Sequence, residues 1–103
     1  MKQQQQAIGG ATVVSNNEAQ SRYELRQDGE VAALSQYRLE GDRVRFVHTE
    51  VDERFEGQGL GAKLAAYALD DVKSRGLKAV PQCKFIASYI ARHEKEYGGL
   101  VVS

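Results

Sequence analysis

Much is missing from these 103 residues, and each gap removes a class of protein. There is one cysteine, Cys83, so an internal disulfide and a cysteine-only metal site are both excluded. That usage fits a reducing compartment, and the cytoplasm is the expected location. There is one proline and no tryptophan. No excess of charge exists: 14 Lys and Arg stand against 14 Asp and Glu. A basic surplus of the kind that carries nucleic-acid or anionic-membrane binding is therefore not expected. No apolar run approaches the roughly 18 residues of a membrane span. The two histidines, His48 and His93, stand far apart in sequence, so no metal site is expected. No internal repeats occur, and the length fits one domain.

What is present is ordinary globular composition, 42% hydrophobic and 27% charged. Residues 1–10 are glutamine-rich, end in Gly9-Gly10 and read as a flexible tail before a single domain over 11–103. Residues 11–15 are a candidate short strand. From Ser21 the side chains alternate. Tyr23 and Leu25 point one way; Arg22, Glu24 and Arg26 point the other. Asp28-Gly29 then supplies a two-residue hairpin turn. Val31, Ala33, Ser35, Tyr37 and Leu39 form the next face, and Gly41-Asp42 the next turn. Val44, Phe46, His48 and Glu50 share one face of a third run, with Val47, Thr49 and Val51 on the other. These runs predict a three-stranded antiparallel meander.

The period then becomes helical. Leu60, Leu64, Ala65, Ala68, Leu69 and Val72 lie on one stripe, and Gly76 follows as a helix-ending residue. Residues 77–80 read as a strand stopped by Pro81. Phe85, Ile86, Tyr89 and Ile90 are spaced for a second helix over about 84–92. The apolar end, residues 97–102, reads as a last strand or a packed flap. The order β-β-β-α-β-α makes an α+β protein with a mostly antiparallel mixed sheet and two helices.

The stretch from Val51 to Leu64 carries the strongest chemical signal. Gly57, Gly59 and Gly61 alternate between a strand end and a helix start, and no Ser, Thr, Asp or Asn from Glu53 to Ala62 caps that helix. Bare N–H groups and the helix dipole favour negative oxygens, best those of a pyrophosphate. A P-loop needs Ser or Thr after its lysine, and Lys63 precedes Leu64. Gly57-x-Gly59-x-x-Ala62 matches the dinucleotide fingerprint in form. Yet it follows an antiparallel meander, and no acid marks the strand after it. A coenzyme-A pyrophosphate loop fits the context, and a plain strand-to-helix connection is the competing reading.

Arg54-Phe55-Glu56-Gly57-Gln58-Gly59-Leu60-Gly61 resembles motif A of the GNAT acetyltransferase superfamily, with Glu56 where Gln or Arg is typical. The ordered segments 48–51, 57–61, 76–78 and 81–85 resemble the short single-domain GNAT-like proteins. His93-Glu94-Lys95-Glu96-Tyr97 lacks a proline usual there. The resemblance implies an N-acetyltransferase that uses acetyl-CoA, with an amine acceptor, acting as a monomer or weak dimer. It implies that the pantetheine arm pairs with backbone around Thr49, Val51 and Asp52. The pyrophosphate would rest on Gly57, Gln58, Gly59, Leu60, Gly61 and Ala62. It also implies an open acceptor side, because the helices that precede the meander in longer members have no counterpart here. A coenzyme-A sensor or partner-binding module on the same fold is the alternative.

Candidate catalytic residues follow. Cys83 precedes the second helix, where the dipole favours thiolate, with Lys84 beside it. It reads either as a small core residue or as a group that takes the acetyl or reprotonates the leaving thiolate. His48 reads as a hydrogen-bonded core histidine or as a general base. Glu50, with Glu53 near it, sits at the strand end where the acceptor amine must lose a proton. Tyr89 and Tyr97 read as core-edge residues or as leaving-group acids.

Overall fold

The computed structural model describes residues 11–103. The tail expected over residues 1–10 lies outside them. Strands β1 (Thr12–Asn17), β2 (Arg22–Gln27), β3 (Glu30–Glu40) and β4 (Arg43–Val51) form an antiparallel meander. Helix α1 (Leu60–Ser74) then returns the chain, so that β5 (Lys78–Pro81) lies parallel to β4. The sheet order is β1-β2-β3-β4-β5. Helices α2 (Lys84–Arg92) and the single turn α3 (Glu94–Tyr97) follow. The fold is α+β with a mixed sheet, as the pattern predicts. The candidate strand near residue 11 is real, which puts four strands before the first helix. The end of the chain adds only a bridge from Val101 to Ala79.

The expected stripe of α1, Leu60 through Val72, is buried at every one of its six positions. It packs on a sheet face built from Tyr23, Leu25, Ala33, Tyr37, Val44 and Phe46. Each buried Leu, Val or Phe side chain contributes about 1.5–3 kcal/mol. Ile86, Tyr89 and Ile90 of α2 join the same core. The Tyr97 hydroxyl donates to Asp70 at 2.8 Å and ties α3 to α1.

Two bulges break the alternation. Between β2 and β3, Ala32 is the extra residue, and both Ala32 and Ala33 are buried. Between β3 and β4, Phe46 pairs with Tyr37 and His48 pairs with Gln36, so Val47 is extra. A one-residue insertion sends every later side chain to the opposite face. This corrects the face read from the sequence. His48 does not share the core face of Val44 and Phe46; Thr49 and Val51 take it instead. Leu39, expected on the inward face of β3, is 58% exposed at the far end of the strand.

Candidate active site

The site begins where β4 and β5 part. Their pairing runs from Arg43–Lys78 to Phe46–Pro81, and the Cys83 N–H closes it by donating to the Phe46 carbonyl at 2.9 Å. Beyond that point β4 continues from Val47 to Val51 with β3 alone as its neighbour. The Asp52 N–H donates to the Ala32 carbonyl at 2.8 Å, which fixes the phase of that pairing. Alternation then directs the backbone groups of Thr49 and Val51 away from β3 and into the gap. Asp52 differs from them. Its N–H is taken by Ala32, its carbonyl accepts from the Phe55 N–H at 2.8 Å, and its carboxylate holds Arg54. Its backbone is spent within the chain.

The glycine loop closes one end of the gap. Gly57 and Gly59 have φ of +83° and +74°, and a Cβ on either would meet nothing within 4 Å. The first fact explains why glycine stands there; the second leaves the approach to the backbone open. Gly59 is the N-cap of α1, and no side chain caps the helix. The first intrahelical bond is from the Lys63 N–H to the Gly59 carbonyl, so the N–H groups of Leu60, Gly61 and Ala62 carry the positive end of the dipole. Gln58 is exposed between the two glycines. Gly61 has another reason: a Cβ there would lie 2.6 Å from the Phe85 ring and 3.2 Å from Val51. A groove of about 370 Å³ runs along this loop, walled by Phe55, Gly57, Gly59, Gly61, Phe85 and Arg92.

The candidate catalytic side chains fall in two sets. On the core side, Cys83 is half-buried, with its Sγ 3.3 Å from Thr49 Oγ1. Thr49 Oγ1 in turn lies 2.9 Å from the fully buried Ser35 Oγ. On the other face, His48 Nε2 lies 2.7 Å from Glu50 Oε2, and both side chains are exposed. Cys83 and His48 are therefore brought to the same stretch of β4 from opposite faces, and the Val47 bulge is the cause. Tyr97 is bound to Asp70 at the core edge. Tyr89 is buried and stacked on His93 at 4.1 Å between ring centres. Glu53 sits in a short 3-10 turn, exposed.

Ser35, Arg92 and Phe85 escaped the sequence reading as site residues. Ser35 left a trace, a hydroxyl on an inward face between Ala33 and Tyr37. Phe85 and Arg92 left another: they are seven apart on α2, two turns along one side of a helix.

A mixed sheet whose parallel pair splays beside an uncapped, glycine-led helix is the frame in which the family match falls. The family described as GCN5-related N-acetyltransferase matches residues 22–100, and the chain belongs to it. It is an N-acetyltransferase by that membership. It is 33% identical over 84 residues to protein NATD1 of Mus musculus, covering 80% of this chain and 76% of that one. The solution structure of a GCN5-like protein from Staphylococcus aureus superposes with a TM-score of 0.64 over 88% of both chains at 22% identity. At that identity the likeness is one of fold. The ribosomal-protein-S18-alanine N-acetyltransferase of Escherichia coli matches with a TM-score of 0.56 and 26% identity, over 73% of this chain and 50% of that one. The chain thus spans half the length of that enzyme. No helix among the described residues is long and apolar enough to cross a membrane.

Proposed function

We propose that this chain transfers an acetyl group from acetyl-CoA to an amine by direct attack in a ternary complex. The observation that carries the proposal is the bare N-terminus of α1, opened by Gly57 and Gly59, at the end of the gap between β4 and β5. The N–H groups of residues 57–62 would hold the pyrophosphate. The backbone of Thr49 and Val51 would pair with the amides of the pantetheine arm, like an added strand. Asp52 drops out of that role because its backbone already has partners. Residues 11–103 act as one domain in this reading, in the cytoplasm, as a monomer or weak dimer.

Acetyl-CoA supplies an electrophilic thioester carbon. The chain supplies orientation and proton transfer, of which orientation is often the larger contribution. The paired His48 and Glu50 accept the proton of the attacking amine on the outer face of β4. Cys83 Sγ, on the inner face, gives a proton to the departing sulfur.

The test is thermal unfolding with coenzyme A, acetyl-CoA and NAD, followed by thiol release with a panel of amines. Ligand at 100 times its dissociation constant stabilises by about 2.7 kcal/mol, so the two thioester-related ligands raise the melting temperature and NAD does not. No shift with either would remove the proposal. Binding without thiol release from any amine would favour the sensor reading.

A further inference from the structure

We infer that Ser35 and Thr49 form a directed hydrogen-bond relay that holds the Cys83 sulfur as an acceptor, making both of them positioning residues. The inference rests on reading Cys83 as the proton donor to the departing sulfur.

The direction follows from counting protons. Ser35 Oγ is fully buried, and among the described residues its side-chain partner is Thr49 Oγ1 at 2.9 Å. Were Thr49 to donate to Ser35, the serine proton would be buried without an acceptor, which is the costly arrangement. So Ser35 donates to Thr49. The Thr49 proton is then free to go to Cys83 Sγ, 3.3 Å away. The sulfur is held from its backbone as well, since the Cys83 N–H donates to Phe46 and its carbonyl accepts from the Ala87 N–H at 3.1 Å.

The relay suits a sulfur that alternates between thiol and thiolate. When Cys83 acts, its S–H bond breaks and an S–H bond forms on the departing sulfur. The electron pair stays on Sγ, facing the Thr49 hydroxyl. A hydrogen bond to a charged acceptor is about twice as strong as one to a neutral acceptor, so the relay favours this state. Cys83 then regains a proton from water, and the proton lost by the amine leaves through His48 and Glu50. The Val47 bulge makes the arrangement possible. Without it His48, not Thr49, would face Ser35.

The chain has a single cysteine, so alkylation by iodoacetamide reports on this sulfur alone. Rates are measured at neutral and at alkaline pH on the full chain and on Thr49→Val, Thr49→Ser and Ser35→Ala. Thr49→Val is expected to slow alkylation about tenfold at neutral pH, the scale of one charge-assisted hydrogen bond. The difference closes at alkaline pH, where every variant is ionised. Thr49→Ser retains the wild-type ratio, and Ser35→Ala falls between. A wild-type ratio in Thr49→Val, or a slowing equal at every pH, overturns the relay. If circular dichroism shows Thr49→Val unfolded, Ser35→Ala decides by the same ratio, and an unchanged ratio there overturns it. Full amine acetylation by Cys83→Ala overturns the proton-donor reading. Failure of the wild-type chain to bind coenzyme A overturns the proposed function, and leaves the alkylation result to judge the relay.

Discussion

Gly59 shows how a single residue serves two physical demands. Its φ of +74° is a conformation that disfavours a Cβ, and the space beside it is empty. Aspartate tolerates positive φ better than most residues, and an acid is favoured near a helix N-terminus. Gly59→Asp is therefore expected to fold, with a loss of about 1 kcal/mol from the left-handed conformation. The same carboxylate would lie where the pyrophosphate oxygens must approach. Isothermal titration with coenzyme A should find no binding in a variant with near-native circular dichroism. Unchanged affinity would move the phosphate site elsewhere. Gly61 is a contrasting case. Its helical backbone suits any residue, and its smallness is set by the Phe85 ring and Val51 packed against it.

At the scale of the element, β4 does the most. One extra residue divides it into a half packed in the core and a half that borders the gap. Val44 and Phe46 belong to the core. After Val47, Thr49 faces Ser35 and Cys83, while His48 and Glu50 face outward. Deleting Val47 would close the bulge and leave His48 outward and Thr49 inward, because Phe46 and His48 already pair with neighbouring residues of β3. The expected result is a folded protein with a near-native circular dichroism signal, since no side chain of β4 changes face. The neutral-to-alkaline alkylation ratio of Cys83 should stay that of the wild-type chain rather than fall to that of Thr49→Val, because Thr49 still faces Ser35. A ratio like that of Thr49→Val would show that the twist of the bulge, and not the face of Thr49 alone, sets its contact with Cys83. Helix α1 teaches a simpler lesson. It is stabilised by its buried stripe rather than by a cap, so its N-terminus can be left bare for a ligand.

At the scale of the whole molecule, pH stability turns on a charge buried in the sheet. Glu24 is 2% exposed and bonds Arg22 at 2.6 Å, Asn17 at 3.0 Å and Arg26 at 3.2 Å. Burial pushes its carboxyl up, but Asn17, Arg22 and Arg26 outweigh burial and hold it below the ordinary 4.5. A depressed folded value gives stability that is complete above the unfolded value and is lost as pH falls through the folded one. The urea midpoint should therefore stay level from neutral pH down to about 4.5 and decline below it. Glu24→Gln should be less stable at neutral pH by about 1–3 kcal/mol and should show a shallower acid decline. Parallel curves for the two proteins would exclude Glu24 as a source of the acid sensitivity.

Local pattern made most of the fold legible. The α1 stripe, the span of α2 and the Asp28-Gly29 turn all follow from periods and turn chemistry acting between near neighbours. The glycine loop was legible too, because a missing cap and alternating glycines are local features. Tertiary structure alone decided the face of His48. A bulge is set by how two paired strands share their hydrogen bonds, and Phe46-Val47 is apolar in either phase, so no residue near it marks the extra position. It also decided that Ser35, Thr49 and Cys83 meet. They come from β3, β4 and the start of α2: the Val47 bulge sets Thr49 opposite Ser35, and the end of the β4–β5 pairing puts Cys83 beside Thr49.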